Sequence, residues 1–405
     1  MLRHFYFKKH ERYDELKKIF LKKNEEHRIV NGHLWVFSNE IEKMEEDPQS
    51  GDTVEVYDVK NNLLGTGFFN RNSLIAVRML SRKVISDMEN FLREKMKSAY
   101  DLRKTLYSNR EAFRMVFSES DFLPGLVIDK YNNTFVLQVY SAGMEKNLEL
   151  INKILKEDFS AENILTKHEP YFRKLEGLSE ENTILLGKAD DEIISDGSLS
   201  FEIDFSSGQK TGFYFDQSDN RFFIEKISSG KTVLDAFCNS GGFGLHALKA
   251  GASEVTFVDS SANEIEKVKK NLELNNLSGK TEFATADVFD FFEREVAGNK
   301  KYDLVCIDPP AFAKNKKTLK TAEKGYEKLN RLAMQSTSNG GFLVTSSCSF
   351  HLKRADFLAV VARAALKANK TIQLIHFNEA SLDHPKLPAM EETSYLKFAV
   401  FKIIG

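Results

Sequence analysis

From about Leu199 to the end of the chain, short apolar strands alternate with helix-length segments, and this grammar restricts the fold more than any other feature. Strands joined by crossover helices form a parallel sheet, because a tight hairpin cannot reach a parallel neighbour. The candidate strands are Thr232-Val-Leu-Asp, Glu254-Val-Thr-Phe-Val-Asp, Lys280-Thr-Glu-Phe-Ala-Thr, Asp303-Leu-Val-Cys-Ile-Asp and Gly341-Phe-Leu-Val-Thr. Thr371-Ile-Gln-Leu-Ile-His and Tyr395-Leu-Lys-Phe-Ala-Val-Phe follow, and helices fit between most of them, as over 262–275 and 355–368. The expectation is an α/β, Rossmann-like domain over residues 196–405 with a seven-stranded, mostly parallel sheet. Asp235, Asp259 and Asp308 each close a strand at the carboxyl edge, where such sheets bind ligands.

The residues upstream read differently. A charged, helical lead-in precedes Thr53-Val-Glu-Val-Tyr, Gly65-Thr-Gly-Phe-Phe and Ile75-Ala-Val-Arg-Met-Leu, which predict a β-rich module over 1–82. Over 83–195, a helix (86–107) is followed by strands at 113–117, 125–129 and 134–140, a helix over 145–156 and a strand at 163–166. Tyr131-Asn-Asn supplies a hairpin turn, and the whole predicts a compact α+β unit.

The first strand of the C-terminal domain runs into Asp235-Ala-Phe-Cys-Asn-Ser-Gly-Gly-Phe-Gly. Gly241, Gly242 and Gly244 allow a tight turn into a helix and close approach of a ligand. Nucleotide-binding oxidoreductases share such a turn. Asp259 stands where a carboxylate would meet a ribose diol, and Asp287 follows the third strand, placed to accept from an exocyclic amine such as adenine's. The structural alternative is that both merely cap the next helices. The fourth strand then ends in Asp308-Pro309-Pro310-Ala311-Phe312. Two prolines cannot continue a central ladder, so the chain leaves the sheet rigidly at the ligand edge. This D-P-P turn resembles the signature of class I methyltransferases acting on bases, and it argues against hydride transfer.

Three cysteines, Cys238, Cys306 and Cys348, are too far apart for a C-x-x-C pair, which predicts neither a structural zinc nor a disulfide framework. No apolar run approaches the ~20 residues of a membrane span, and no secretory signal is evident, so the expected location is cytoplasmic. Cys306 lies in mid-strand and Cys238 in the glycine loop, positions that suit packing. Cys348, in Thr345-Ser-Ser-Cys-Ser, lies just past the fifth strand, beside the strand that carries Asp308. Carbon-5 of cytosine is a poor nucleophile until a thiolate adds at carbon-6, and a cysteine at this edge suits that chemistry. Asp308 could protonate or hydrogen-bond ring nitrogen 3 of the adduct. With a net charge of −2, attraction to nucleic acid must come from local patches, for which Lys8 to Arg28 and Lys314 to Arg331 are candidates. Solvated helix faces are the alternative for both.

After about Leu21 nearly the whole chain resembles the ribosomal RNA large subunit methyltransferase I family, cytosine-5 methyltransferases with an N-terminal PUA domain. Gly32-His-Leu-Trp-Val-Phe-Ser resembles the opening of the PUA module, and Phe117-Ser-Glu-Ser-Asp-Phe-Leu-Pro-Gly-Leu the central domain. Gln209-Lys-Thr-Gly-Phe-Tyr-Phe-Asp-Gln with Arg221 resembles the segment that closes over the cofactor; Ser347-Cys-Ser matches the nucleophile motif, and Asp383-His-Pro with Tyr395-Leu-Lys the last strands. The resemblance implies S-adenosylmethionine as cofactor, contacted by Phe213, Arg221, Asp235, Phe237, Gly241, Gly242, Gly244, Asp259, Ser260, Asp287, Val288 and Asp308. Cys348 and Asp308 would be catalytic. Pro309, Pro310, Phe312 and Lys314 would face the base, with no metal, and the partner would be RNA of the large subunit; a homodimer stays open. Ala311 stands where the family usually carries lysine, and Lys314 is the nearby residue that could replace it. Lys316 and Lys317 could hold phosphates, and Trp35 and Phe37 suit either base stacking or a domain core. Two other readings stay open: a guanine N-methyltransferase acting on rRNA, since D-P-P turns also serve base nitrogens, and a non-catalytic RNA-binding assembly factor.

Overall fold

A computed structural model describes residues 16–205, 211–313 and 316–405. Its N-terminal sheet has six strands in the order Trp35–Phe37, Ile75–Ser81, Leu63–Phe69, Thr53–Tyr57, Lys17–Leu21 and Ile41–Glu45. The expected helical lead-in is corrected where it is described: Lys17–Leu21 is a strand, antiparallel to Ile41–Glu45 and parallel to Thr53–Tyr57. Its three apolar residues, Ile19, Phe20 and Leu21, are buried, and that burial outweighs the helical propensity of the lysines around them. Of the first basic stretch, residues 8–15 lie outside the described residues; within it Lys17 pairs with Asp52 and Arg28 with Glu40.

The central unit is a five-stranded sheet, ordered Ile184–Leu186, Asn163–Thr166, Thr134–Val139, Leu126–Tyr131 and Ala112–Phe117. The helix Met88–Leu106 starts where the Asp87 side chain accepts from the Asn90 amide, and it buries Leu92, Met96 and Ala99 against that sheet. The single helix expected over 145–156 is two, Ala142–Lys146 and Leu148–Asp158, joined at Asn147. Trp35 spans the junction of the two units: its indole Nε1 donates to Glu119 at 2.8 Å, with the Arg78 guanidinium 5.5 Å from its ring. The side chain is half-buried there, held at one edge of its ring by Glu119 and not closed within a domain core.

The C-terminal sheet is numbered here from its own first strand: β1 (Thr232–Ala236), β2 (Glu254–Asp259), β3 (Lys280–Thr285), β4 (Tyr302–Ile307), β5 (Thr337–Ser347), β6 (Thr371–Asn378) and β7 (Lys397–Ile404). Their spatial order is β3-β2-β1-β4-β5-β7-β6. The first five are parallel, and β7 inserts antiparallel between β5 and β6. The crossover helices are α1 (Gly242–Lys249), α2 (Ala262–Leu274), α3 (Val288–Ala297), α4 (Leu319–Ser336) and α5 (Arg354–Lys367). Both faces of the sheet are covered, and for that reason its central strands are near-continuous apolar runs. The order reverses between β1 and β4, so the crevice at their carboxyl ends is where such a sheet binds ligand.

Candidate active site

β1 delivers its aspartate to the start of α1. Phe237 and Asn239 adopt left-handed backbone (φ 61° and 47°), and Gly241 (φ 88°) caps the helix in the same region. A Cβ on Gly242 would lie 2.5 Å from Arg221 Nε, and one on Gly244 would meet the Phe257 ring at 2.2 Å. The glycines therefore serve two ends, a turn at 241 and close packing at 242 and 244. The Gly244 amide donates to Asp235 Oδ2 at 2.7 Å. Burial, with Asp308 nearby, pushes the Asp235 carboxyl up to about 8.

The two other acids differ in how the loops use them. Asp259 accepts from the Asn239 amide through Oδ2 and from the Ser261 amide through Oδ1, both at 3.0 Å, thus tying the β1 loop to the end of β2. Ser261, not Asp259, caps α2. Asp287 does cap a helix: its Oδ1 accepts from Phe289 and Asp290 at the start of α3. Ser260 is exposed beside Asp259, and Val288 is buried at the first position of α3.

Arg221, on the helix Ser218–Glu225, is buried with its guanidinium 4.5 Å from the Phe213 ring centroid. Its Nε and Nη1 have no hydrogen-bond partner among the described residues. Burial pulls this guanidinium below its ordinary value although Asp196, Asp216, Asp308 and Asp235 are in range. A buried cation with two unmet donors beside the glycine turn is a ready receptor for an anionic group. Phe213 is fixed from outside the domain, since its amide donates to Tyr131 of the central sheet at 3.1 Å.

At the end of β4, Asp308 is half-buried, Pro309 is buried and Pro310 is exposed. Phe312 turns inward, its ring 4.6 Å from that of Tyr326 on α4 and 6.3 Å from Phe289 on α3. Lys314 lies outside the described residues; Lys316 and Lys317 beyond it are exposed.

The cysteines separate as their positions predicted. Burial pushes the thiols of Cys238 and Cys306 well above the ordinary range, which makes them inert. Cys348 is half-buried and follows the last residue of β5. The turn that carries it is held on every side. Gln217 Nε2 donates to Ser346 Oγ at 3.2 Å, the Ser349 amide to Ser347 Oγ at 3.3 Å, and the Ala313 amide to Ser349 Oγ at 3.2 Å. The Tyr326 hydroxyl and Ser349 Oγ are 2.9 Å apart. Burial first, then the charges of Asp216, Asp308 and Cys348, push the Tyr214 hydroxyl up, so Asp308 and Cys348 both lie within electrostatic range of this one side chain. Tyr326 and Tyr395 also feel Cys348, and burial pushes all three hydroxyls up, so they remain donors at neutral pH.

Tyr214, Gln217, Tyr395 and Lys397 fell within segments that carry the family resemblance but were given no role of their own, and Tyr326 was not singled out from the sequence. Only Lys397 carried a signal, as a lysine opening an apolar strand; it is 5% exposed there.

A family model for S-adenosylmethionine-dependent methyltransferases matches residues 184–402, and one for PUA-like domains matches 19–82. The fold, the glycine turn and this match define the class: the C-terminal half is an S-adenosylmethionine-dependent methyltransferase domain. The chain is 37% identical over 392 residues to ribosomal RNA large subunit methyltransferase I of Aeromonas hydrophila, covering 95% of this chain and 98% of that one. It is 36% identical to the protein of the same name in Photobacterium profundum, covering 94% and 97%. The chain belongs to the ribosomal RNA large subunit methyltransferase I family. A crystal structure of SMU.776, described as a methyltransferase and complexed with S-adenosylhomocysteine, shares the fold with a TM-score of 0.82 at 20% identity, covering 95% of this chain and 99% of that one.

Proposed function

We propose that this chain methylates carbon-5 of a cytosine in large-subunit ribosomal RNA, with Cys348 as nucleophile. The observation that carries this reading is the half-buried thiol beside the Asp308 turn, on a segment pinned by Gln217, Ala313 and Tyr326, while the other two cysteines are packed away. The names of the relatives support the RNA substrate.

S-Adenosylmethionine, when bound, supplies an electrophilic methyl group on a sulfonium. The pocket residues fit it: Arg221 offers two unmet donors to its carboxylate, and Asp259 and Asp287 stand at the strand ends where ribose and adenine would lie. A cytosine flipped out of its helix enters at Pro309 and Pro310, at a cost of a few kcal/mol. The Cys348 thiolate adds at carbon-6, and the displaced electron pair moves toward nitrogen 3, where Asp308 donates or shares a proton. Carbon-5 of the resulting enamine is nucleophilic and would take the methyl group from the sulfonium, leaving S-adenosylhomocysteine, as the nitrogen-3 proton returns to Asp308. Loss of the carbon-5 proton to a base then expels the thiolate and restores the ring. Phe213, Phe237, Gly241, Gly242, Gly244, Ser260 and Val288 complete the cofactor's surroundings in this reading, and Lys316 and Lys317 meet phosphates near the base. The PUA-like unit, bounded near residue 82, docks the RNA; the central unit ends near 195.

RNA containing 5-fluorocytosine tests the reading, because fluorine at carbon-5 cannot leave as a proton and the adduct is trapped. Wild type should form a complex that survives denaturation, and Cys348→Ala should form none. A guanine N-methyltransferase would form no adduct with either protein.

A further inference from the structure

We propose that Lys397 is a positioning residue whose ammonium, held between two backbone carbonyls at the Cys348 turn, keeps that thiol ionised. The inference rests on the reading of Cys348 as nucleophile. It starts from strand register: β5 and β7 pair antiparallel with Ser347 opposite Lys397, so the residue after Ser347 emerges beside this lysine. Lys397 Nζ donates to Ser349 O and to Tyr395 O, each at 2.6 Å. The cation is thus tied to the residue on one side of Cys348 by a hydrogen bond and to the other by the sheet. An ammonium has three donors, so one N–H is left for an anion at the turn.

A buried lysine with no acidic partner is unusual. No carboxylate within 4.0 Å pairs with Lys397 among the described residues. The groups that feel the thiol's charge besides Lys397 are Tyr214 before the helix Ser218–Glu225, Tyr326 on α4 and Tyr395 before β7, with Asp216 on the Tyr395 hydroxyl at 2.6 Å; Asp308 at the end of β4 acts on the same Tyr214, and Lys353 before α5 acts on Lys397. Lys353 is half-exposed and pairs with Glu391, so the buried cation of the set is Lys397. Burial pulls the Lys397 ammonium down to about 8, opposed by the Cys348 thiolate, with Lys353 adding a further push downward. Such coupling is reciprocal: a thiolate that favours the charged lysine is favoured by it to the same extent. At neutral pH the lysine is still mostly charged, and a cation that is poorly solvated interacts more strongly with an adjacent anion.

The test is the pH profile of iodoacetamide alkylation of Cys348 in the full-length protein, read by mass spectrometry of the peptide that carries it. Binding of S-adenosylhomocysteine checks that each variant is folded. Wild type should show a midpoint below the ordinary thiol value of ~8.5. Lys397→Met should raise it by about one pH unit or more, and Lys397→Arg should leave it near the wild-type value. Trapping on 5-fluorocytosine RNA should slow about tenfold in Lys397→Met at neutral pH and recover at higher pH. A wild-type midpoint at or above ~8.5 overturns the proposal whether or not any variant folds. So does an unchanged midpoint in Lys397→Met, or an arginine variant that shifts as far as the methionine one. Full methylation by Cys348→Ala would instead defeat the nucleophile reading, and the alkylation profile would still report on the lysine–thiol pair.

Discussion

Arg221 is the residue whose environment is hardest to explain without a ligand. It is buried against Phe213, and its Nε and Nη1 have no partner among the described residues. An unmet charged donor costs stability that only an anion at the site would return. Replacement by methionine should therefore weaken S-adenosylhomocysteine binding about 10- to 100-fold, the worth of a charged hydrogen bond of ~1.5–3 kcal/mol. The melting temperature of the ligand-free protein should hold or rise. Calorimetric titration and thermal melts check both, and unchanged affinity would remove Arg221 from the cofactor site. Arg221 was legible in the sequence only through family resemblance, because nothing in a lone arginine announces that its side chain will be buried. Asp235, Asp259 and Asp308 were legible from position alone, since each closes an apolar strand. Asp287 illustrates the limit: a carboxylate before a helix caps it whatever else it binds, and here its Oδ1 does so.

Among the elements, the turn after β5 carries the most consequence. Ser349 Oγ receives the Ala313 amide and meets the Tyr326 hydroxyl, joining the Cys348 turn to the D-P-P loop and to α4. Ser349→Ala leaves both groups without that partner. The expected cost is ~1–3 kcal/mol in denaturant unfolding, with a fall in kcat and no change in S-adenosylhomocysteine affinity. A loss of affinity in place of kcat would mean that the turn serves the cofactor. The central parallel strands could be read from the sequence because strands covered on both faces are near-continuous apolar runs, whereas the edge strand β3 is mixed and largely open to solvent. The lead-in at Lys17–Leu21 could not: three apolar residues among lysines fit a helix face as well as a strand, and pairing with Ile41–Glu45 and Thr53–Tyr57 decides it. The approach of Lys397 to Ser349 escaped for a similar reason, since it depends on the register of β7 against β5, 48 residues away.

Across the whole molecule, the central unit acts as a brace for the catalytic domain. Arg103, fully buried on the helix Met88–Leu106, grips Asp121 through two hydrogen bonds of 2.6 and 2.8 Å and donates to Asp383 O at 2.7 Å. Arg114 binds Asp129 through both ends of its fork and approaches His384 Nε2 at 3.0 Å, while its amide donates to Asp383 Oδ2 at 2.9 Å. Thr211 and Phe213, in the segment that leads to Arg221, hang from Tyr131 of the same unit. Arg103→Met should cost ~3–5 kcal/mol, because it strands Asp121 as an unpaired buried charge, and Arg103→Met with Asp121→Leu should recover much of that loss. Equal destabilisation by the double variant would show that the geometry, not the charge, is what matters. The claim on which the account turns is the target atom. Nucleoside mass analysis of large-subunit rRNA, taken from cells lacking the gene and incubated with S-adenosylmethionine and purified protein, measures it directly. The expected result is 5-methylcytosine with wild type and none with Cys348→Ala; a methylated guanosine, or 5-methylcytosine formed undiminished by Cys348→Ala, would contradict it.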